Sequence, residues 1–320
     1  MNYDGQRVVV VGGLGFIGAH LSRRLLTLGA HVRIVTRDAG RHKAIADEYR
    51  TLGASVVDGD LRNPAAMKSA VSGQDLLFNL AGQSGAVLSM EDPWTDLDVN
   101  CRGNLVLLEA IRELAVRPKV VFVSSRLAYG ATDGEPVGEQ RAPAPASIHA
   151  VHKVAVEQYL RIYANAYGVP FTVARLTNPY GPGQPRERTA YGVVNRMIHL
   201  AVGGQPLVVY GDGHQLRDYI YIDDAIDALV TLGSCDASGQ FYNVGSGSGT
   251  RVADMARAIA DTAGGSRVQF ERWPALAQRI ETGDFVADIT KIRRETGWAP
   301  RVSLREGLAR TIAFYRAQAA

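Results

Sequence analysis

The side chains best suited to proton transfer are His149 and Lys153, which lie four positions apart. The apolar pattern predicts a helix over about 148–167, and residues four apart share one helix face. A neutral imidazole accepts a proton near pH 7, and a neighbouring ammonium group lowers the imidazole pKa and keeps it neutral. The two side chains are therefore candidates for acid–base chemistry, whereas we expect His152 to be exposed on the same helix.

A glycine-rich stretch near the start of the chain could bind a phosphate group. The apolar run Val8–Val11 predicts a buried strand, Gly12–Gly18 follows it, and a helical pattern runs from Phe16 to about Leu28. Strand, glycine turn and helix in this order are the context of a dinucleotide-binding fingerprint. Without side chains, the turn lets backbone N–H groups approach a pyrophosphate at the helix N-terminus. The alternative is a glycine turn that only packs strand on helix.

The next strand predicts which dinucleotide is bound. It spans about 31–36, and its end lies roughly twenty residues past the glycines, where an acidic residue would hold the ribose 2′-OH of NAD. Thr36 and Arg37 stand there instead, with Arg41 close behind. Arginine suits a 2′-phosphate, so the sequence favours NADP over NAD. The alternative is a solvated Arg37, with Asp38 or the backbone holding a 2′-OH.

Strands and helices alternate through the first half of the chain. This spacing predicts an α/β fold with a doubly wound parallel sheet of the Rossmann type. The alternation breaks after a strand at 171–176, where 178–185 reads as loop. We therefore expect a dinucleotide-binding domain over 1–177, completed by segments near 218–245, and a smaller α/β substrate domain over 178–320.

Composition excludes several classes of function. The 320 residues carry a net charge of +3. They include two cysteines, which are too few for a disulfide framework or a metal site. No basic stripe with interleaved aromatic residues points to nucleic acid. No apolar run reaches the length of a membrane span, and from the first residues we expect no signal peptide. We expect a cytoplasmic protein with no metal, membrane or nucleic-acid partner.

Seven short motifs follow one another along the chain. They are Gly12–Gly18, Asp60-Leu61, Leu80-Ala81-Gly82-Gln83, Val99-Asn100 with Gly103, Ser124-Ser125 with Tyr129-Gly130, Arg175–Asn178 with Tyr180-Gly181-Pro182, and Tyr210–Gly213 with Arg217-Asp218-Tyr219. Together they resemble the motifs of extended short-chain dehydrogenases/reductases of the NAD-dependent epimerase/dehydratase family, which act on nucleotide sugars. The likeness covers nearly the whole chain and is specific for the family but not for the substrate.

The resemblance implies a role for each matching position. Ser125, His149 and Lys153 would be catalytic. The implied cofactor residues are Gly12, Gly15, Phe16, Ile17, Gly18, Asp60, Leu61, Leu80, Ala81, Gly82, Asn100 and Lys153, to which Arg37 is added from its position. The substrate-binding residues would be Gln83, Ser84, Arg126, Asn178, Arg217 and Arg279. Arg126 could equally form a structural salt bridge.

The chain departs from the family at two places. The family carries Tyr-x-x-x-Lys, and here His149 stands in the tyrosine position. His149 would then be the base, or else a polar residue in a site that has lost redox activity or transfers hydride by another route. Ser125 is followed by Arg126-Leu127 rather than by the Asp-Glu pair of nucleotide-sugar 4,6-dehydratases, which disfavours elimination of water.

The resemblance therefore implies NAD(P)-dependent epimerisation of a nucleotide-diphosphate sugar through a transient keto sugar, with 4-epimerisation favoured. A 2-epimerase, to which Gln83 points, and a 4-keto-sugar reductase are alternatives. An alternative of another class is a non-catalytic NAD(P)-binding sensor or scaffold. The family usually pairs through two long helices, here about 93–114 and 148–167, so the resemblance also implies a homodimer.

Overall fold

A seven-stranded parallel sheet positions most of the candidate residues. In the computed structural model, which describes residues 3–184 and 192–319, its strand order is β11-β7-β5-β4-β1-β2-β3. The strands are β1 (Arg7–Val11), β2 (His31–Thr36), β3 (Ser55–Asp58), β4 (Leu76–Asn79), β5 (Lys119–Ser125), β7 (Phe171–Leu176) and β11 (Gln240–Val244). This order confirms the predicted doubly wound α/β fold, in which the chain reverses direction across the sheet between β1 and β4.

The apolar content of the strands explains why they lie at the centre of the fold. Val8, Val9 and Val10 in β1 are 0% exposed, and Val8 pairs with Val32 on one side and Leu76 on the other. A strand buried on both faces carries a continuous apolar run rather than an alternating one. The β-branched run at the start of the sequence therefore becomes an inner strand.

Helices alternate with the strands of this sheet along the chain. They are α1 (Phe16–Thr27), α2 (Lys43–Thr51), α3 (Pro64–Val71), α4 (Ala86–Glu91), α5 (Pro93–Leu97), α6 (Gly103–Glu113), α7 (Ile148–Tyr167) and α9 (Ile222–Ser234). The bounds of α7 match the prediction. The single helix predicted from Pro93 to Leu114 is instead α5, a π-helical turn at Asp98–Arg102, and α6.

The remaining elements are short strands and helices. The strands are β6 (Thr132–Asp133), β8 (Asn178–Tyr180), β9 (Leu207–Tyr210), β10 (Leu216–Tyr221), β12 (Gly249–Arg251), β13 (Val268–Glu271) and β14 (Gly283–Asp284). The helices are α8 (Val193–Val202), α10 (Val252–Thr262), α11 (Ala275–Arg279), α12 (Thr290–Thr296) and α13 (Leu304–Ala319). The predicted loop at 178–185 is wrong at its start, because β8 pairs in parallel with β10; Pro185 lies outside the described residues.

The chain divides into two compact units that interleave along the sequence. The first comprises 1–128, 147–175 and 226–242, and the second 129–146, 176–225 and 243–320. The predicted domain boundary at residue 177 stays a prediction. Among the described residues, no helix is long and apolar enough to cross a membrane, and none of their side chains form a group of three or more potential metal ligands.

Candidate active site

The glycine turn joins the ends of β1 and β4 closely. Gly12 has φ +83°, and a Cβ built on it would lie 2.9 Å from the Ala81 nitrogen. A Cβ on Gly18 would lie 2.3 Å from the Gly12 oxygen, closer than atoms can approach. Packing alone therefore requires glycine at positions 12 and 18. For these two residues, the alternative of a glycine turn that only packs strand on helix accounts for the glycine without a nucleotide.

Gly15 differs from its two neighbours. It precedes the first residue of α1 with φ −73°, and a Cβ there would meet only the Gly12 oxygen, at 3.3 Å. No side chain caps α1, and its first turn, which begins with Phe16 and Ile17, contains no acidic residue. An uncapped helix start with N–H groups available is a site for an anion. These residues therefore fit the pyrophosphate of a dinucleotide.

The ends of β2 and β3 carry the residues that would select the cofactor. Arg37 is exposed directly after Thr36, and the Asp38 carboxylate accepts a hydrogen bond from the Arg41 N–H at 2.9 Å. Asp60 pairs with Arg62 at 2.7 Å. The Arg62 guanidinium lowers the pKa of Asp60 to about 2, and the positive charge of Arg37 acts in the same direction. The ends of β2 and β3 therefore carry arginine side chains beside carboxylates, of which Asp60 is ionised.

Asn100 holds the loop that follows β4. Its Oδ1 accepts the Gln83 N–H at 3.0 Å, and its Nδ2 donates to the Gln83 oxygen at 2.9 Å. A Cβ on Gly82 would lie 2.6 Å from Asn100 Oδ1 and 3.8 Å from Lys153 Nζ. The π-helical turn carries Asn100, and such turns are frequent at functional sites. Asn100 thus fixes the backbone beside Leu80 and Ala81, while Ser84 is exposed.

The other residues at this edge differ in burial. Leu61 is buried against the position of Gly103, where an added Cβ would lie 2.9 Å from Leu61 Cγ, so only its backbone can face a ligand. Arg126 is buried at the start of the short 3₁₀ turn Arg126–Tyr129 that follows β5.

Two serines fix the first turn of α7, where His149 lies. Ser147 Oγ accepts the Ala150 N–H at 3.4 Å, and Ser89 Oγ in α4 accepts the His149 N–H at 2.9 Å. The first N–H groups of a helix have no partner within it, so these bonds anchor the helix start. The His149 N–H is therefore held by α4, and the adjacent Ala150 N–H by the N-cap Ser147.

The His149 imidazole is buried beside a carboxylate that the sequence analysis did not single out. Asp96, at 0% exposure in α5, places Oδ2 3.6 Å from His149 Nδ1 and Oδ1 2.6 Å from His152 Nδ1. His152 was expected to be exposed, which is wrong: its neighbour Asp96 draws it inward, and it is 9% exposed. No spacing rule would reveal this contact, because 56 positions separate its members.

Burial lowers the pKa of His149, and the positive charge of Lys153 adds to that effect. The nearby Asp96 carboxylate acts in the opposite direction but does not cancel it. His149 lies in the first turn of α7, where the partial positive charge of the helix N-terminus also disfavours a protonated imidazole. His149 is therefore neutral near pH 7, as proton acceptance requires.

Lys153 and Ser125 are both held at the end of β5. Lys153 Nζ donates to the Val123 oxygen at 3.0 Å and lies 4.9 Å from the centroid of the Phe122 ring. Burial lowers the pKa of Lys153 to about 8. Ser125 Oγ is partly exposed and accepts the Leu127 N–H at 3.2 Å, so its own hydrogen is not used in that contact.

A buried ion pair supports this strand end from behind. Arg175 binds the Glu157 carboxylate through two nitrogens, at 2.6 and 3.0 Å, and Ser124 Oγ donates to the same carboxylate at 2.7 Å. Glu157 lies one helical turn after Lys153. This support for β5 and α7 was missed, although Arg175 belongs to a quoted motif.

In the second unit, Arg217 already has protein partners. Its guanidinium donates to Glu281 and to the Gly283 oxygen, and it is 8% exposed. Asn178 Nδ2 donates to the Asp218 oxygen at 2.7 Å, which joins β8 to β10. Arg279 is exposed at the end of α11. Their role in binding phosphate stays a prediction.

Comparisons with known proteins agree with these features. A family model described as the NAD dependent epimerase/dehydratase family matches residues 8–245. The UDP-glucose 4-epimerase of Mycolicibacterium smegmatis is 34% identical over 316 residues, which cover 97% of this chain and 98% of that protein. Other relatives are named as dTDP-glucose 4,6-dehydratases and a UDP-N-acetyl-alpha-D-glucosaminuronate decarboxylase.

Solved structures share the whole fold. The UDP-glucose 4-epimerase of Thermotoga maritima, determined with UDP-glucose, has a TM-score of 0.90 at 29% identity and covers 98% of this chain and 100% of its own. The UDP-glucose 4-epimerase of Thermus thermophilus, determined with NAD, has a TM-score of 0.85 at 32% identity and covers 97% and 99%. Fold, glycine turn and sequence matches lead to one conclusion: the chain belongs to the NAD-dependent epimerase/dehydratase family.

Proposed function

We propose that this protein epimerises a nucleotide-diphosphate sugar at C4 through a transient keto sugar, with His149 as the general base. The observation that carries the proposal is a buried, neutral imidazole one turn before Lys153, at the start of a helix anchored by two serines. The relatives named as UDP-glucose 4-epimerases support the class of substrate.

Each residue has a defined task in this reaction. His149 accepts the proton of the sugar hydroxyl and returns it, and Ser125 donates its free hydrogen to the same oxygen. Burial, assisted by the ammonium group of Lys153, keeps the imidazole neutral, and Lys153 would also hold a cofactor ribose. Hydride uptake and return at the sugar carbon is the chemistry that a bound nicotinamide would supply. Because Arg126 stands where the dehydratases have a carboxylate, the protein lacks the acid that would assist loss of water there.

NADP is the proposed cofactor. The support is local: Arg37 is exposed at the end of β2, and the Asp38 carboxylate already accepts the Arg41 N–H. A 2′-phosphate would gain a charged partner in Arg37, whereas a 2′-OH carries no charge for Arg37 to pair with.

A panel of nucleotide sugars, incubated with purified protein and either NAD or NADP, tests the function directly. We expect a 4-epimer to form with no net change in reduced cofactor. Net consumption of NADPH would show a reductase instead, and inversion at C2 would show a 2-epimerase. Bound cofactor with every sugar unchanged would reject catalysis in favour of a sensor or scaffold.

We also propose a homodimer. The side chains of Val87, Met90, Trp94, Leu97, Val151 and Ile162 on α4, α5 and α7 are between 37 and 78% exposed. Exposed apolar groups on neighbouring helices mark interaction surfaces in proteins. A second copy of this chain would cover them.

A further inference from the structure

Asp96 presents one carboxylate to two imidazoles. The oxygen facing His152, Oδ1, is 2.6 Å from Nδ1, and because an ionised carboxylate only accepts, that nitrogen must carry the hydrogen. The other oxygen, Oδ2, is buried and has no hydrogen-bond partner within 3.5 Å among the described residues. His149 Nδ1, at 3.6 Å, is the ring nitrogen that faces it.

His149 Nδ1 faces two groups that favour opposite tautomers. Asn100 Nδ2, at 3.4 Å, could donate to a bare Nδ1, and Asp96 Oδ2 could accept from a protonated one. Asn100 already donates one hydrogen to the Gln83 oxygen at 2.9 Å. A buried carboxylate oxygen left without a donor costs at least as much as a lost neutral hydrogen bond, and its charge makes the cost larger. The balance therefore favours a hydrogen on Nδ1.

We propose that Asp96 holds His149 as the tautomer with hydrogen on Nδ1, so that Nε2 carries the lone pair that accepts the substrate proton. The inference rests on the proposed role of His149 as base and names Asp96 as a positioning residue. The hydroxyl proton moves to Nε2, and the Nδ1 hydrogen stays between the imidazole and Asp96. The resulting imidazolium then faces an ionised carboxylate, which stabilises it.

His152 completes the arrangement. By donating to Oδ1, it fixes the rotation of the Asp96 carboxylate and leaves Oδ2 for His149. Polar neighbours also help to keep the buried carboxylate ionised: burial raises the pKa of Asp96, but His149, Asn100 and His152 together outweigh that effect, so the pKa lies below its usual value.

Asp96→Asn is the decisive variant. An asparagine of the same shape would turn a carbonyl oxygen to His152 and an NH₂ group to His149, which reverses the hydrogen bond. Nitrogen-15 NMR of histidine-labelled protein reads the tautomer, with His149→Phe to assign the resonances. We expect hydrogen on Nδ1 in the wild type and on Nε2 in Asp96→Asn. A wild-type His149 with hydrogen on Nε2 would overturn the proposal even if the variant failed to fold.

Asp92→Asn is the matched control. Asp92 caps the same helix through the Thr95 N–H at 3.1 Å, and asparagine caps equally well. This variant removes the carboxylate that caps α5 and should leave the His149 tautomer unchanged. The same change of tautomer in both variants would contradict a direct effect of Asp96.

Kinetics on a sugar that is turned over separate positioning from a structural role. Asp96→Asn should lower kcat on the order of a hundredfold with little change in KM. In a His149→Tyr background, where no imidazole needs orienting, Asp96→Asn should cost nothing further. An equal loss in both backgrounds would reject the proposal. If no nucleotide sugar reacts, the proposed function fails, and the NMR result still decides the role of Asp96.

Discussion

At the scale of single residues, an imidazole base restricts the pH range of activity. Because burial lowers the pKa of His149, activity should fall as pH decreases through a value below about 6.5, where the imidazole becomes protonated. Lys153, with a pKa lowered by burial to about 8, should lose its charge and reduce activity as pH rises through that value. A plot of kcat/KM against pH should therefore be bell-shaped, with its two limbs at the pKa values of His149 and Lys153.

Substitution of His149 tests whether its imidazole is the base. His149→Phe fills the space without accepting a proton and should reduce kcat on the order of a hundred to ten thousandfold. His31→Phe changes an exposed histidine and should leave the profile intact. Wild-type turnover by His149→Phe would show that another group is the base.

Arg37 should decide the cofactor. Arg37→Gln is expected to weaken NADP binding and leave NAD binding unchanged, since only the 2′-phosphate loses a charged partner. Arg37→Asp should reverse the preference. Arg50→Gln, at the far end of α2, controls for loss of an exposed arginine, and calorimetric titration gives the dissociation constants. Equal constants for NAD and NADP in the wild type would contradict this selectivity.

We expect Arg217 to bind the phosphate of the substrate by giving up its ion pair with Glu281. Arg217→Ala is expected to raise KM by about thirtyfold, the equivalent of about 2 kcal/mol for a lost charged contact. Glu281→Gln keeps an oxygen for the neighbouring N–H groups but frees the guanidinium of its ion pair, so KM should not rise. An equal rise in both variants, with an equal loss of thermal stability, would make Arg217 structural.

At the scale of elements, two glycine substitutions near the start of α1 should separate loss of dinucleotide binding from loss of stability. Gly15→Val should abolish dinucleotide binding, because its side chain would occupy the approach to the helix N-terminus. Stability should fall by only about 1 kcal/mol, since φ is ordinary and one contact tightens. Gly18→Val meets backbone atoms and should lower the melting temperature much further. Normal binding by Gly15→Val would make the turn purely structural.

Local pattern predicted the regular elements well. The apolar runs and their stop signals predicted β7 and α7 at their observed bounds. The same reasoning missed β8, because Asn178 and Pro179 are poor strand residues whose pairing depends on β10. It also missed the π-helical turn, since apolar spacing continues through it without a break.

The candidate site was predicted where its residues lie in motifs and missed where they meet only through packing. His149, Lys153 and Ser125 follow from spacing and resemblance, and their roles stay predictions. Asp96 lies on a short helix whose visible features are a cap and a proline. Nothing in the sequence indicates that α5 packs on α7, so the carboxylate between two histidines could not be foreseen.

At the scale of the whole molecule, the apolar surface predicts a dimer. Trp94 is 78% exposed, and Trp94→Asp should convert a dimer into a monomer of 34.5 kDa because it places a charge in the interface. Phe270→Asp removes a half-exposed aromatic side chain from β13 and should leave the dimer intact. Light scattering on the eluting protein gives the mass. A monomeric wild type at micromolar concentration would contradict the prediction.

The π-helical turn at Asp98–Arg102 sets the rotational phase between α5 and α6. A π turn is an α-helix with one residue inserted, and each residue advances the helix by about 100°. Deleting a single residue there would restore a regular helix but rotate α5, with Asp96, relative to α6. The protein should therefore tolerate substitutions at Arg102 more readily than deletion of any residue in this turn.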